Sequence, residues 1–150
     1  KRVIEPDPVY GSVLVSKFIS RMMRDGKKSV AQKLMYKAFD SLSEKGNDPL
    51  KVFETAIDNV GPKQEVKARR IGGAAYQVPT EVRGERRVSL AIRWVLESTK
   101  KRSNSEFKTF SEKLAAEFLA ASNNEGEAIR KRDVTYRMAE ANKAFAHFRW

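Results

Sequence analysis

Apolar residues recur every three or four positions through most of this chain, the spacing of helices that bury one face. Residues 12–24, SVLVSKFISRMMR, place Leu14, Phe18 and Met22 at i, i+4 and i+8, with Val15 and Ile19 beside them. That pattern predicts a first helix, and Asp25-Gly26 is expected to end it. A second helix is predicted over about 29–45, with Val30, Leu34, Ala38 and Leu42 on one stripe and Phe39 flanking it. Asp48 reads as an N-cap ahead of Pro49 at the first helical position. Leu50, Phe53, Ile57 and Val60 carry that third apolar face to Gly61-Pro62.

The period changes over 64–82. QEVKARRI and AAYQVPTEV flank Gly72-Gly73, which predicts a hairpin with a two-residue turn. Ile71 should then pair with Ala74 and Arg69 with Tyr76, and Lys67, Arg69, Ile71, Tyr76 and Val78 should share one face. A three-residue loop would swap the faces. Pro79 lacks a ladder donor and requires an edge position. A lone two-stranded ribbon is marginal in water, so it should project as an arm or lean on helices.

Three further helices are expected. One, over about 86–101, carries Val88, Ile92 and Val95 on one side. Ser103-Asn104-Ser105-Glu106 matches a capping box, predicting a helix over about 106–123 that buries Phe107, Phe110, Leu114, Phe118 and Ala121. The last, over about 133–148, starts near Asp133 and aligns Val134, Met138, Ala141, Phe145 and Phe148. The fold class expected is mainly α: a single domain, residues 1–150, of about six helices with a protruding two-stranded β-ribbon arm over about 64–82.

Charge adds a partner to this picture. The 150 residues hold 30 Lys+Arg against 19 Asp+Glu, a net charge of +11. The excess falls in three blocks, +6 over 1–39, +7 over 60–102 and +4 over 129–150, separated by two blocks of −3. The central block is rich in arginine, the better residue for bidentate phosphate contact, so a nucleic-acid partner is expected. Zero cysteines exclude disulfide scaffolds, zinc ribbons and thiol chemistry, and fit a reducing compartment. No apolar stretch reaches a membrane span, and no secretory signal is expected. The chain begins at Lys1 rather than Met, so a preceding segment is expected to be missing.

Catalytic chemistry finds little support. His147 is the one histidine, and a lone histidine without a partner base or nucleophile reads as a surface or packing residue. The carboxylates of EKGND and NNEGE fall near predicted helix ends, where they cap or solvate. Gly72-Gly73 lies in neither a GxGxxG nor a GxxxxGK[ST] pattern, so it reads as a turn. No catalytic residue, metal or cofactor is therefore expected. The basic clusters carry more. Lys27 and Lys28 lie at a helix-to-helix turn, where a phosphate or plain solvent would suit them. Lys63, Lys67, Arg69 and Arg70, then Arg83, Arg86 and Arg87, bracket Tyr76, which fits either a stacked base or packing on the hairpin's own face. Lys100-Lys101-Arg102 and Arg130-Lys131-Arg132 are weaker signals, because helix ends attract cations for dipole reasons alone.

These residues resemble the bacterial-type small-subunit ribosomal protein seven family. The resemblance runs in order through DPVYGS, then Ser12, Leu14, Phe18-Ile19, Gly26-Lys27-Lys28, Leu34-Met35 and Ala38. It continues through EVKARRIGGAAYQVPTEVR, LAIRW and RMAEANKAFAHFRW, covering essentially the whole chain. It implies a six-helix domain with a β-ribbon arm in the head of the small ribosomal subunit. There the family binds the 3′ major domain of small-subunit rRNA, nucleates head assembly, and lines the exit-site tRNA and mRNA exit region. By matching position, rRNA contact is implied for Lys27, Lys28, Lys67, Arg69, Arg70, Arg83, Arg86, Arg87 and Arg93. The charge pattern adds Lys100, Lys101, Arg102, Arg130, Lys131 and Arg132. Proximity to tRNA and mRNA is implied for Gly72, Gly73, Ala74 and Tyr76, and for Arg137, Asn142, Lys143 and Arg149. The segment RSNSEFKTFSEK looks longer and more aromatic than usual, and only Lys1 and Arg2 represent the family's basic N-terminal extension.

The partners expected are therefore small-subunit rRNA, exit-site tRNA and mRNA, and neighbouring small-subunit proteins, with no membrane. The location expected is the ribosome of the bacterial cytoplasm, or that of a mitochondrion or plastid. A DNA-bending architectural protein is the alternative, since such proteins also use helices with basic β-arms. The arm tip, Gly-Gly-Ala-Ala, lacks the apolar wedge those arms insert.

Overall fold

The computed structural model describes residues 3–148, with side chains described to residue 146. Among them, helices α1 (Val13–Met22), α2 (Lys28–Glu44) and α3 (Pro49–Val60) precede strands β1 (Gln64–Ile71) and β2 (Ala74–Glu81). Helices α4 (Gly84–Lys100), α5 (Phe110–Ser122) and α6 (Glu127–Ala141) follow, and a 3-10 segment, Lys143–Phe148, comes after them.

The core forms where the apolar faces of α1, α2, α3 and α5 converge. Each contributes one fully buried phenylalanine: Phe18, Phe39, Phe53 and Phe118. Their ring centroids lie 5.1 to 6.2 Å apart, mostly edge to face, the arrangement favoured by the aromatic quadrupole. Helix α4 closes the core with Ala91, Ile92, Val95 and Leu96. The N-terminal segment is tied on through Asp7, which accepts from the Val9 and Tyr10 amides at 3.1 and 2.9 Å and from the Tyr36 hydroxyl at 2.6 Å. Burial, with the Asp7 hydrogen bond, pushes the Tyr36 hydroxyl up to about 12.

The hairpin has the expected register, with Ile71 opposite Ala74 and Arg69 opposite Tyr76. Gly72 and Gly73 have φ of 59° and 85°, the left-handed pair that a two-residue turn requires. The ribbon leans on α6 and the 3-10 segment, burying Val78, while its tip stays exposed. Pro79 is buried opposite Val66, and a two-stranded ribbon has only edge strands, so its missing donor breaks no further ladder.

Several boundaries and faces differ from expectation. Helix α1 ends at Met22, because Met23 turns extended (ψ 136°) before Asp25-Gly26 is reached. Helix α2 buries Ala31, Met35, Ala38, Phe39 and Leu42, leaving Val30 exposed and Leu34 half-buried. The cap of α5 is Thr109, whose hydroxyl accepts from the Glu112 amide at 3.2 Å, so Ser103 does not cap it. Thr109-Phe110-Ser111-Glu112 is itself a capping-box sequence, and Phe107 falls in the preceding turns. Helix α6 starts at Glu127, six residues before Asp133, and buries Ala128, Ile129 and Ala139. Val134, Met138 and Ala141 face outward, because α6 packs through the opposite side onto α4 and β1. Phe145 and Phe148 belong to the 3-10 segment rather than to this helix.

A buried carboxylate organises the turn into α6. Glu117 of α5 is fully buried and bonded to Arg102 at 3.0 Å, while its second oxygen makes no hydrogen bond. Gly126 (φ 94°) passes so close that a Cβ there would lie 3.0 Å from that oxygen. Burial pushes the Glu117 carboxyl above its ordinary 4.5, opposed by the Arg102 guanidinium and the Ala128 amide.

Two outcomes are expected. Phe53→Ala should cost about 3–5 kcal/mol in denaturant unfolding. A raised folded-state value means that Glu117 stabilises the fold most fully below 4.5 and loses that contribution as pH rises through the raised value. The difference in stability between the natural chain and Glu117→Gln should change with pH over that interval, and a constant difference would refute the assignment.

Candidate nucleic-acid interface

The arm separates its cations by strand parity. Alternate side chains point to opposite faces, so Arg69 and Arg70 cannot act together. Arg69, Ile71 and Tyr76 are half-buried on the face turned to α6 and the 3-10 segment, where the Tyr76 ring meets Phe145 at 5.1 Å. The Tyr76 ring therefore packs against the 3-10 segment rather than on the hairpin alone. Arg70, on the opposite face, is exposed, as are Gly72, Gly73 and Ala74 at the tip. Lys67 shares the parity of Arg69 and is exposed nearer the arm base. The arm is anchored at its base by the Tyr136 hydroxyl, which accepts from the Lys63 amide at 2.9 Å.

A basic strip runs from the arm base along the outer face of α4. Arg86 donates two bonds to Glu65 of β1, at 2.9 and 3.2 Å, and Lys67 and Arg93 add their fields at the same carboxylate. The Arg86 hydrogen bond holds the Glu65 carboxyl below its ordinary value against the opposing effect of burial. Further along, Lys131 of α6 pairs with Glu97, which Arg93 and Lys101 also face, and that carboxyl is lowered chiefly by the Lys131 hydrogen bond. Arg93 thus links two clusters in which five cations surround two carboxylates. Among the described residues, Lys67, Arg70, Arg93, Lys100 and Lys101 form no ion pair, and neither do Lys27 and Lys28. These last two are exposed where α2 begins, and no side chain caps that helix.

Other predicted cations are engaged within the fold. Arg87 donates to the Gly61 and Asp58 carbonyls at 3.0 and 2.8 Å, fastening α4 to the end of α3. Arg132 reaches the Asn59 carbonyl at 2.7 Å and Asn124 at 3.1 Å, besides its neighbour Asp133. Arg102 holds Glu117 and lies 5.6 Å from the centre of the Phe107 ring. Arg83 pairs with Glu81 and Arg130 with Glu127, both at the surface. At the C-terminal end Arg137 is exposed, Asn142 donates to the Met138 carbonyl at 2.8 Å, and Lys143 pairs with Glu140. Arg149 lies outside the described residues, as do the side chains of His147 and Phe148. Sequence reasoning missed Glu65 and Glu97, whose role depends on cations distant in the chain. It also missed Arg21 and Arg24, which flank the α1–α2 turn.

Residues 1–143 match the family model of Ribosomal protein S7p/S5e. The chain belongs to the S7p/S5e family. Small ribosomal subunit protein uS7 of Caldanaerobacter subterraneus subsp. tengcongensis is 59% identical, the alignment covering 100% of this chain and 95% of that protein. The uS7 proteins of Lawsonia intracellularis and Thermotoga maritima are 58% and 56% identical, again over 100% of this chain and over 95% and 96% of theirs. This S7p/S5e member is thus a ribosomal protein, with a structural place in translation. Among its described residues, no three or more His, Cys, Asp or Glu side chains gather as a metal site, and no helix is long and apolar enough to cross a membrane.

Removal of the guanidinium tests the strip's internal electrostatics. In Arg86→Met the Glu65 carboxyl should titrate nearer its ordinary 4.5, as read by side-chain NMR. A lowered folded-state value stabilises the fold above 4.5 and loses that contribution as pH falls through the depressed value. Arg86 is half exposed, so the stability lost at neutral pH should stay below about 1 kcal/mol.

Proposed function

We propose that this chain binds the 3′ major domain of small-subunit rRNA through the α4 strip, the outer face of the arm and the α1–α2 turn. The observation that carries the reading is the placement of the unpaired cations. Lys67, Arg93 and Lys101 share the strip within the fields of Glu65 and Glu97, whose direct ion pairs go to Arg86 and Lys131 instead. Phosphates neutralise such groups and release counterions, so affinity comes from charge and shape with no chemical step. The rigid α4 fixes their spacing, and sequence-specific contact is confined to irregular or single-stranded RNA.

In this reading binding nucleates assembly of the subunit head and gives neighbouring small-subunit proteins a platform. The exposed tip, Gly72 to Ala74, and the C-terminal residues Arg137, Asn142, Lys143 and Arg149 lie near exit-site tRNA and the mRNA exit path. The named relatives are bacterial, which supports a place on the ribosome of the bacterial cytoplasm. The tip has no apolar wedge, so DNA bending gains no support.

The test is binding of the full chain to a 3′ major domain transcript over a salt series. Affinity should fall steeply, and a flat response would refute the reading. Arg70→Glu should lower the salt slope by about 1 at an unchanged thermal midpoint. Arg69→Glu should lower the midpoint as well, because that side chain is half-buried under the arm.

A further inference from the structure

Val30 and Leu34 belong to the apolar pattern of α2, yet the core takes Ala31, Met35 and Ala38 instead. Val30 is left 51% exposed, and it lines a groove of about 410 Å³ together with Leu34. Met22 at the end of α1, Leu96 on α4 and Phe110 at the start of α5 complete its apolar floor. The rim carries Arg21, Arg24, Lys27 and Lys100 against one carboxylate, Asp25. Among the described residues none of these four cations forms an ion pair, and Arg21 donates to the Ser89 hydroxyl at 3.3 Å.

An apolar floor inside a ring of unneutralised cations complements a ligand with an apolar body and negative charge at its edges. A nucleotide turned out of its stack has this form, the base supplying the body and the flanking phosphates the charge. A base-paired A-form helix cannot offer a base in this way, so the nucleotide must be unpaired. We propose that this groove receives one unstacked nucleobase of an RNA strand, whose flanking phosphates lie on the four rim cations. The proposal rests on the rRNA-binding reading above and adds to it a pocket for a single nucleotide. The floor side chains carry no strong hydrogen-bonding group, so selection among bases rests on size and stacking. An acidic amphipathic protein segment would also complement the rim. RNA is favoured because Lys100 and Lys101 continue the rim directly onto the α4 strip.

Val30→Trp fills the floor without changing charge, at a half-exposed position that the fold tolerates. Lys27→Gln removes one rim cation. Each full-length variant is titrated with the 3′ major domain transcript over a salt series, and its thermal midpoint is checked. Val30→Trp should bind at least tenfold more weakly with an unchanged salt slope, whereas Lys27→Gln should lower the slope by about 0.7–0.9. A photoreactive benzoylphenylalanine at position 30 should cross-link to one unpaired nucleotide of the same transcript. Undiminished affinity in Val30→Trp overturns the groove while leaving the rRNA reading intact. Failure of the natural chain to bind the transcript defeats the rRNA reading itself. A cross-link from position 30 to a protein in assembled subunits, with none to RNA, assigns the groove to an acidic segment and overturns the proposal.

Discussion

Four phenylalanine rings joined by five pairwise contacts determine where the rest of this chain can go. Phe18, Phe39, Phe53 and Phe118 come from α1, α2, α3 and α5, and each is fully buried. Once these helices share one centre, α4 is the element left to cover it, and α4 therefore has an inner apolar side and an outer charged side. The arm emerges between α3 and α4, and α6 with the 3-10 segment covers its inner face. The basic strip is a consequence of this packing: Arg86, Arg93 and Lys101 lie outward because Ile92, Val95 and Leu96 lie inward.

The fold divides its cations into two populations. Arg87, Arg102 and Arg132 donate to carbonyls or a buried carboxylate and join elements distant in the chain. Removing one would leave buried acceptors unsatisfied, which costs more than a surface pair contributes. Lys27, Lys28, Lys67, Arg70, Arg93, Lys100 and Lys101 form no direct ion pair among the described residues. Glu65 and Glu97 hold part of the strip in place and reduce its self-repulsion, so the positive field persists without straining the helix packing.

Much of the architecture is legible in the sequence because large side chains leave an unambiguous period. Phe18, Phe53 and Phe118 fall on predicted apolar lines and Phe39 flanks one, and the Gly72-Gly73 turn fixes the hairpin register through its backbone requirement. Small or moderately apolar residues mislead. Val30 is more hydrophobic than Ala31, and Val134 and Met138 more so than Ala128 and Ala139, yet the alanines are buried. Close packing between helices favours the smaller side chain where backbones approach, and neither a mean hydropathy nor a period records that distance. The capping boxes at Ser103 and Thr109 look alike in sequence, and only Thr109 stands where Phe110 and Leu114 can reach the core.

The sequence by itself determined the helical class, the ribbon with its register, the +11 charge and its three blocks, and the residues that mark the family. Only the tertiary structure decided which cations are available to a partner. Adjacent residues such as Arg86 and Arg87 differ by about 100° around a helix, and Lys101 and Arg102 diverge where the chain leaves α4. One of each pair meets buried oxygen acceptors, and the other faces outward on the strip. Charge and local spacing are the same within each pair, so the distinction arises from what other segments bring within hydrogen-bond reach.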